Sequence, residues 1–205
     1  MDPAGNSMDQ THTDDERLRQ VAACIPIVPF KGVSFYDIGG LLASPVDFAI
    51  CMDLLVAHVE PFANRITSIG CFDARGFLLG PVIAMRLKKK LFMLRKPNKM
   101  PRVSHSVRYG KEYAGDDPNG GDDGLCIQEG AVVAGDQVLL IDDLLATGGT
   151  MAAGVDLVKQ CGGQVLACGC LIELGVLQGR QRILSRHPGT TIFHLLSENL
   201  WAATS

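Results

Sequence analysis

Two adjacent aspartates, Asp142 and Asp143, follow an uninterrupted apolar run, Val138-Leu139-Leu140-Ile141. They are followed in turn by Leu144-Leu145-Ala146-Thr147-Gly148-Gly149-Thr150. The apolar run reads as a buried strand, and carboxylates at such a strand's C-terminal end sit where open α/β sheets bind ligands. The glycines let backbone N–H groups approach an anion closely, and the helix starting there turns its positive end toward it. Thr147 and Thr150 add hydroxyl donors. A loop that takes a phosphate, with carboxylates behind it that accept from hydroxyls, suits a sugar phosphate. Two other readings compete. One is an ordinary strand–turn–helix with solvated aspartates. The other is the acidic strand of a nucleoside triphosphatase, which needs a G-x-x-x-x-G-K-[ST] loop. Gly110-Lys111 is followed by Glu112 and has no partner glycine at the required spacing.

A second cluster lies upstream. Arg75 stands between Asp73-Ala74 and Gly76, at the end of the apolar run Ile69-Gly70-Cys71-Phe72. It reads as an anion ligand, because a guanidinium at a strand end beside a glycine turn presents a bidentate fork. A surface ion pair is the alternative. Phe35 and Tyr36 fit a hydrophobic core as well as a ligand platform. His58 falls on a helical apolar pattern and reads as structural. His105 is the histidine nearest to possible chemistry, with an exposed loop position as its alternative. Cys168-Gly169-Cys170 lacks the third and fourth ligands a zinc site needs.

The elements that position these residues alternate. Residues 65–73, 91–96, 138–142, 164–174 and 190–197 read as strands. Residues 76–90, 149–161 and 176–186 read as helices between them. This alternation predicts an α/β fold with a central, mostly parallel sheet flanked by helices. Ser44-Pro45 opens a helix over 45–59, with Phe48, Met52, Leu55 and Val59 on one face and Pro61 as its stop. Lys88, Lys89 and Lys90 suit the C-terminal end of their helix. Upstream, residues 1–16 read as a flexible tail, with Asp14 and Asp15 as caps of a short helix to Cys24. Residues 17–45 form a small subregion, broken by Pro26, Pro29, Gly32 and Gly39-Gly40. The core covers 46–205 in one domain. From 97 to 125 the periodicity vanishes, and a run rich in glycine and aspartate reads as a flap.

Composition bounds the function classes. The chain has 205 residues, 47% of them apolar, enough for a real core. Nineteen basic against 22 acidic residues leave a net charge of −3, which speaks against a general nucleic-acid binder. No apolar stretch is long enough to span a membrane. Seven cysteines, an odd number spread through apolar runs, suit reduced thiols and a cytoplasmic location.

The run VLLIDDLLATGGT over 138–150 resembles the phosphoribosyl-diphosphate-binding signature of the type I phosphoribosyltransferases. SFYDIGGLL from Ser34, FDARGFLLGP over 72–81 and LRKPNKMP over 94–101 resemble the adenine branch of that family, in this order and at compatible spacing. The resemblance implies a type I phosphoribosyltransferase fold with a hood and a flap, an activity that makes AMP and pyrophosphate from adenine and phosphoribosyl diphosphate, Mg²⁺ as cofactor and a homodimer. Carried over to this chain, Asp142 and Asp143 would hold the ribose hydroxyls. Ala146, Thr147, Gly148, Gly149 and Thr150 would bind the 5′-phosphate. Asp73, Ala74 and Arg75 would form a pyrophosphate loop with an unusual peptide conformation. Arg95, Lys96 and Lys99 would meet the pyrophosphate, with Arg95 reaching a neighbouring subunit's site. Ser34, Phe35 and Tyr36 would form the adenine hood, where backbone groups read the base edge and Phe35 packs near the ring. Mg²⁺ would be carried by substrate oxygens near Asp142 and Asp143 rather than by direct side-chain ligands.

The flap departs from the family. The family carries a glutamate just before the tyrosine of a Tyr-Gly-Lys-like segment; here Arg108 precedes Tyr109. Arginine stays protonated and is no general base. Glu112 is the nearest substitute, so Glu112, Tyr109 and Arg75 are the expected catalytic set. The departure keeps two alternatives open: a phosphoribosyltransferase for another base, and a nucleotide-binding paralogue with weak catalysis.

Overall fold

The computed structural model describes residues 5–108 and 124–202. Helix α1 spans Gly5–Ala23 and leads into a two-stranded hairpin, β1 (Ile27–Phe30) and β2 (Val33–Tyr36), paired antiparallel. Short helix α2 (Gly39–Ala43) and helix α3 (Pro45–Val59) follow. The main body then runs β3 (Ser68–Phe72), α4 (Gly76–Leu87), β4 (Lys90–Arg95), β5 (Val103–Arg108) and β6 (Gly124–Gln128). It continues with β7 (Gln137–Leu145), α5 (Gly149–Gln160), β8 (Gln164–Glu173), α6 (Gly179–Arg186), β9 (Thr191–Ser197) and α7 (Asn199–Ala202).

Helix α3 matches its sequence signals. Ser44 caps it, its hydroxyl oxygen accepting from the Asp47 N–H at 3.3 Å, and Pro45 occupies the first turn, where no donor is lost. Helix α1 starts earlier than expected. Asp14 and Asp15 lie inside it rather than at its cap, and Asp14 pairs with Arg17 one turn on at 3.1 Å. The stretch from Gly5 holds no proline, so nothing in it stops the helix from extending upstream.

Seven strands form one sheet in the order β5-β6-β4-β3-β7-β8-β9. Strands β4, β3, β7, β8 and β9 run parallel, while β6 joins β4 antiparallel and β5 closes that edge. The sheet is therefore mostly parallel, as the alternation predicts. The edge hairpin is the correction: 103–108 is a strand inside the range 97–125 expected to be an irregular flap, and 124–128 is a strand that begins at the end of that range. Only His105 and Val107 of β5 turn toward the protein, so its alternation carries little apolar signal. Tyr109, Glu112 and the acidic run to Asp123 lie outside the described residues.

Helices cover both faces. Ile69, Leu139 and Ile141 pack with Leu55, Val59, Leu79 and Ile83 on one side of the sheet. Val138, Leu140, Cys168 and Cys170 pack with Val155, Leu157, Val158 and Ile183 on the other. Successive strand residues point to opposite faces, so a strand buried on both must be apolar throughout. The lysine run splits by role. Lys88 ends α4 in the left-handed conformation, while Lys90 begins β4 and its Nζ holds both oxygens of buried Asp136 at 2.9 Å.

Candidate active site

Strand β3 pairs with β7 only as far as Cys71 opposite Ile141, whereas β8 keeps pairing to Leu145 opposite Glu173. On the β3 side a crevice therefore opens where Asp142 begins. The aspartates lie within β7 and not beyond its end, but the shorter neighbour leaves their β3 side unpaired, as a strand end would.

The two carboxylates are fixed differently. Asp142 Oδ1 accepts the Asp143 N–H at 2.9 Å. A side chain at Gly76 would place its Cβ 3.0 Å from that same oxygen, so the start of α4 comes this close only because residue 76 is glycine. Asp143, 5% exposed, pairs through Oδ2 with Arg75 Nε at 2.9 Å. Burial, with the Asp143 charge beside it, holds the Asp142 carboxyl well above the usual carboxylate range. Burial also raises Asp143, against the opposing pull of Arg75.

Beyond the carboxylates, Leu144 to Met151 and Asp142 line a cavity of about 90 Å³. Gly148 has a φ of 79°, a left-handed turn that aims the chain into α5. The floor of the loop is another backbone. A Cβ on Gly179 would lie 2.2 Å from the Ala146 carbonyl oxygen and 2.9 Å from the Gly148 nitrogen. The start of α6 thus backs the glycine loop without an intervening side chain. The result is a small anion-sized hollow at the N-terminus of α5, bounded by the carboxylates.

Across the crevice, the Asp73–Ala74 peptide bond is cis, in line with the unusual peptide expected there. Arg75 follows it and caps α4. Its guanidinium lies over the Phe35 ring at 5.0 Å, so one side chain joins the β2 aromatic to the Asp143 carboxylate. Arg95 lies 3.7 Å from Asp73 and over Phe77 at 5.6 Å, and its buried Nε has no hydrogen-bond partner. Lys96 follows at the end of β4. Lys99 is exposed in a single 3₁₀ turn, and neither lysine makes an ion pair among the described residues.

The three hood residues do not share a face. Phe35 turns to Arg75, whereas Tyr36, next along β2, packs edge-on against Trp201 at 5.0 Å. Alternation sends the Phe35 side chain to the face opposite those of Ser34 and Tyr36; the Tyr36 ring packs against the core and Ser34 is exposed. His105 faces the C-terminal end of α5, 3.5 Å from Cys161, away from the crevice. His58 is structural: its Nδ1 lies 2.9 Å from the Leu54 carbonyl oxygen and its ring stacks on Phe193.

Hard oxygen donors suit a cation such as Mg²⁺. On β7 the crevice offers them from Asp142 and Asp143, one already paired with Arg75. Among the described residues no cluster of three or more His, Cys, Asp or Glu could hold a metal. The donor set fits an ion brought in on substrate oxygens. No helix is long and apolar enough to cross a membrane.

A third group escaped sequence reasoning. Glu173 ends β8, Arg180 is the second residue of α6 and His194 lies on β9; together they form one polar cluster around buried Glu173, with Arg180 and His194 half-buried. A carboxylate closing the apolar run of β8 was the available signal.

The protein-family description "Phosphoribosyl transferase domain" matches residues 38–202. Adenine phosphoribosyltransferase 3 of Arabidopsis thaliana is 39% identical over 173 residues, 83% of this chain and 90% of that protein. The crystal structure of adenine phosphoribosyltransferase from Rhodothermus marinus superposes with a TM-score of 0.78 at 33% identity, covering 89% of this chain and 99% of that one. The Trypanosoma brucei adenine phosphoribosyltransferase structure, in complex with AMP, pyrophosphate and ribose-5-phosphate, gives 0.74 at 28% identity, covering 98% and 83%.

Proposed function

This chain belongs to the adenine branch of the phosphoribosyltransferase family, and from that premise we propose how its residues divide the reaction between them. The reaction joins adenine N9 to ribose C1 of phosphoribosyl diphosphate, breaks the C1–O bond to pyrophosphate and releases AMP and pyrophosphate. The observation that carries the assignment is the Asp142–Asp143 pair, set between a glycine loop at a helix start and an arginine across the crevice.

Asp142 and Asp143 accept from the ribose hydroxyls. The N–H groups from Ala146 to Thr150 hold the 5′-phosphate, with the Thr147 and Thr150 hydroxyls. Arg75, Arg95, Lys96 and Lys99, with the Asp73–Ala74 loop, take the pyrophosphate, and Phe35 packs on the base. Both phosphate ends of the substrate are then fixed, and C1 lies between the base and the leaving group. Positioning of this kind supplies much of a rate enhancement without covalent chemistry by the protein. Positive charge developing on the ribose is favoured by the two carboxylates, and negative charge on the departing pyrophosphate by the arginines. Asp142 and Asp143 would be the carboxylates nearest a Mg²⁺ ion, which would supply charge neutralisation of the leaving group when bound.

The proton on the purine needs an acceptor, and Arg108 is unsuited to the role. Glu112, three positions after Tyr109 in the sequence, is our candidate. Glu112→Gln is expected to lower kcat about a hundredfold, at the low end of general acid–base contributions, with AMP affinity nearly unchanged. An unchanged turnover removes Glu112 from the mechanism. A second reading, a nucleotide-binding protein with little turnover, draws its support from Arg108 alone.

The proposal extends to a homodimer in a reducing, cytoplasm-like compartment. Exposed Leu78 and Met85 of α4 and Leu91 and Met93 of β4 offer an apolar face for a second copy, and all seven cysteines are unpaired. Sedimentation that returns the monomer mass at micromolar concentration would remove the dimer.

The deciding experiment is AMP formation from adenine and phosphoribosyl diphosphate with Mg²⁺, with hypoxanthine, guanine and xanthine in parallel. Turnover on adenine alone is expected. Preference for another base overturns the base assignment, and no turnover with AMP still bound supports the second reading.

A further inference from the structure

We propose that Arg180 and Glu173 are positioning residues for the 5′-phosphate loop, acting through the backbone of Gly179. The inference rests on the reading of Ala146–Thr150 as that loop. Arg180 is held from several directions at once. Its Nε donates to Glu173 Oε1 at 2.9 Å, one terminal nitrogen donates to Glu173 Oε2, and the other donates to the Ile192 carbonyl at 2.7 Å. His194 Nδ1 lies 3.1 Å from the guanidinium and 2.6 Å from Glu173 Oε2. Burial pushes the Glu173 carboxyl up, and Arg180 with His194 outweighs it, so the group lies below its ordinary value and stays charged. A bidentate arginine–carboxylate pair fixes direction as well as distance.

The clamp lies outside the substrate crevice, but its neighbour does not. Gly179 precedes Arg180 and sits against the Ala146 carbonyl and the Gly148 nitrogen, with room for no side chain. The other end of the clamp is tied to the same loop: Glu173 is the register partner of Leu145, and the Leu174 N–H donates to the Leu145 carbonyl at 2.9 Å. The residues on both sides of the loop's entry are therefore locked to one ion pair. Phosphate affinity depends on where several N–H groups converge, so a small shift of their support is felt there. The pyrophosphate side of the crevice, on β3, α4 and β4, is separated from the clamp by β7 in the sheet order and should not feel it.

The test uses ribose 5-phosphate and inorganic pyrophosphate as separate probes by calorimetry on the full chain. Arg180→Gln is expected to weaken ribose 5-phosphate about tenfold and to leave pyrophosphate within about threefold. Arg180→Lys, which keeps the charge but loses the fork, should fall between, and it takes the place of Arg180→Gln if that variant does not fold. Gly179→Ala, which alters neither member of the ion pair and pushes a methyl at the loop, should show the same selective loss. Equal losses of both probes, or no loss of either, overturn the inference in favour of a purely structural clamp. A parent protein that binds no ribose 5-phosphate would instead overturn the phosphate-loop reading itself.

Discussion

Changing Asp142 and Asp143 together to asparagine is expected to weaken phosphoribosyl diphosphate and AMP in step, by about a thousandfold. Each carboxylate would lose a hydrogen bond to a charged group, worth about 1.5–3 kcal/mol, and about 1.4 kcal/mol is tenfold. Retained affinity for both ligands would sink the ribose assignment. The single variant Asp142→Asn adds a test that ligand binding alone does not give. The Asp142 carboxyl is held above its ordinary value chiefly by burial and by Asp143. A group raised in the folded state contributes its full stability below the unfolded value, near about 4, and loses it as pH rises through the folded value. Asparagine has the same shape, does not titrate and can still accept the Asp143 N–H. Asp142→Asn should therefore melt higher than the parent at neutral pH, with the gain vanishing toward pH about 4. A variant less stable at every pH would mean that the carboxylate serves the fold rather than the ligand.

Arg75→Gln is expected to lower kcat/KM about a thousandfold, for two separable reasons. The first is loss of a cation and its fork on the pyrophosphate, at about 1.5–3 kcal/mol for each charged hydrogen bond. The second is that Asp143, almost wholly buried, loses the charge that opposes its desolvation. Its carboxyl should rise further, so the acid side of the pH profile for phosphoribosyl diphosphate binding should move to higher pH. Arg75→Lys retains charge but neither the fork nor the flat contact over Phe35, and should recover part of the rate. A pH profile that does not move would show that the Arg75–Asp143 contact leaves Asp143 unperturbed, and would leave Arg75 as a pyrophosphate ligand only.

Both predictions concern residues that stood out before any fold was known. The pattern of buried strand, paired acids, glycine loop and helix was readable because each step is local. Four apolar residues in a row need cover on both faces. Two adjacent glycines mark a turn, and Ser44-Pro45 marks a helix start. The helix over 45–59 followed from such signals alone. The edge hairpin did not, because half of an edge strand faces water and His105 and Val107 carry little pattern. Nor did the sequence separate the side chains of Phe35 and Tyr36, which strand alternation sends to Arg75 and to Trp201.

By itself the sequence determined the order of strands and helices, the parallel sheet and the chemical types at its ligand-binding end. Those properties depend on residues close together in the chain. Only the tertiary structure decided that Arg75 bridges Phe35 and Asp143, that β3 pairing stops short of the carboxylates, and that Arg180 and Glu173 stand behind the glycine loop. Each of those contacts joins segments that are separate in the chain. Their distances are set by how the sheet orders its strands and packs its helices, and no local pattern records that.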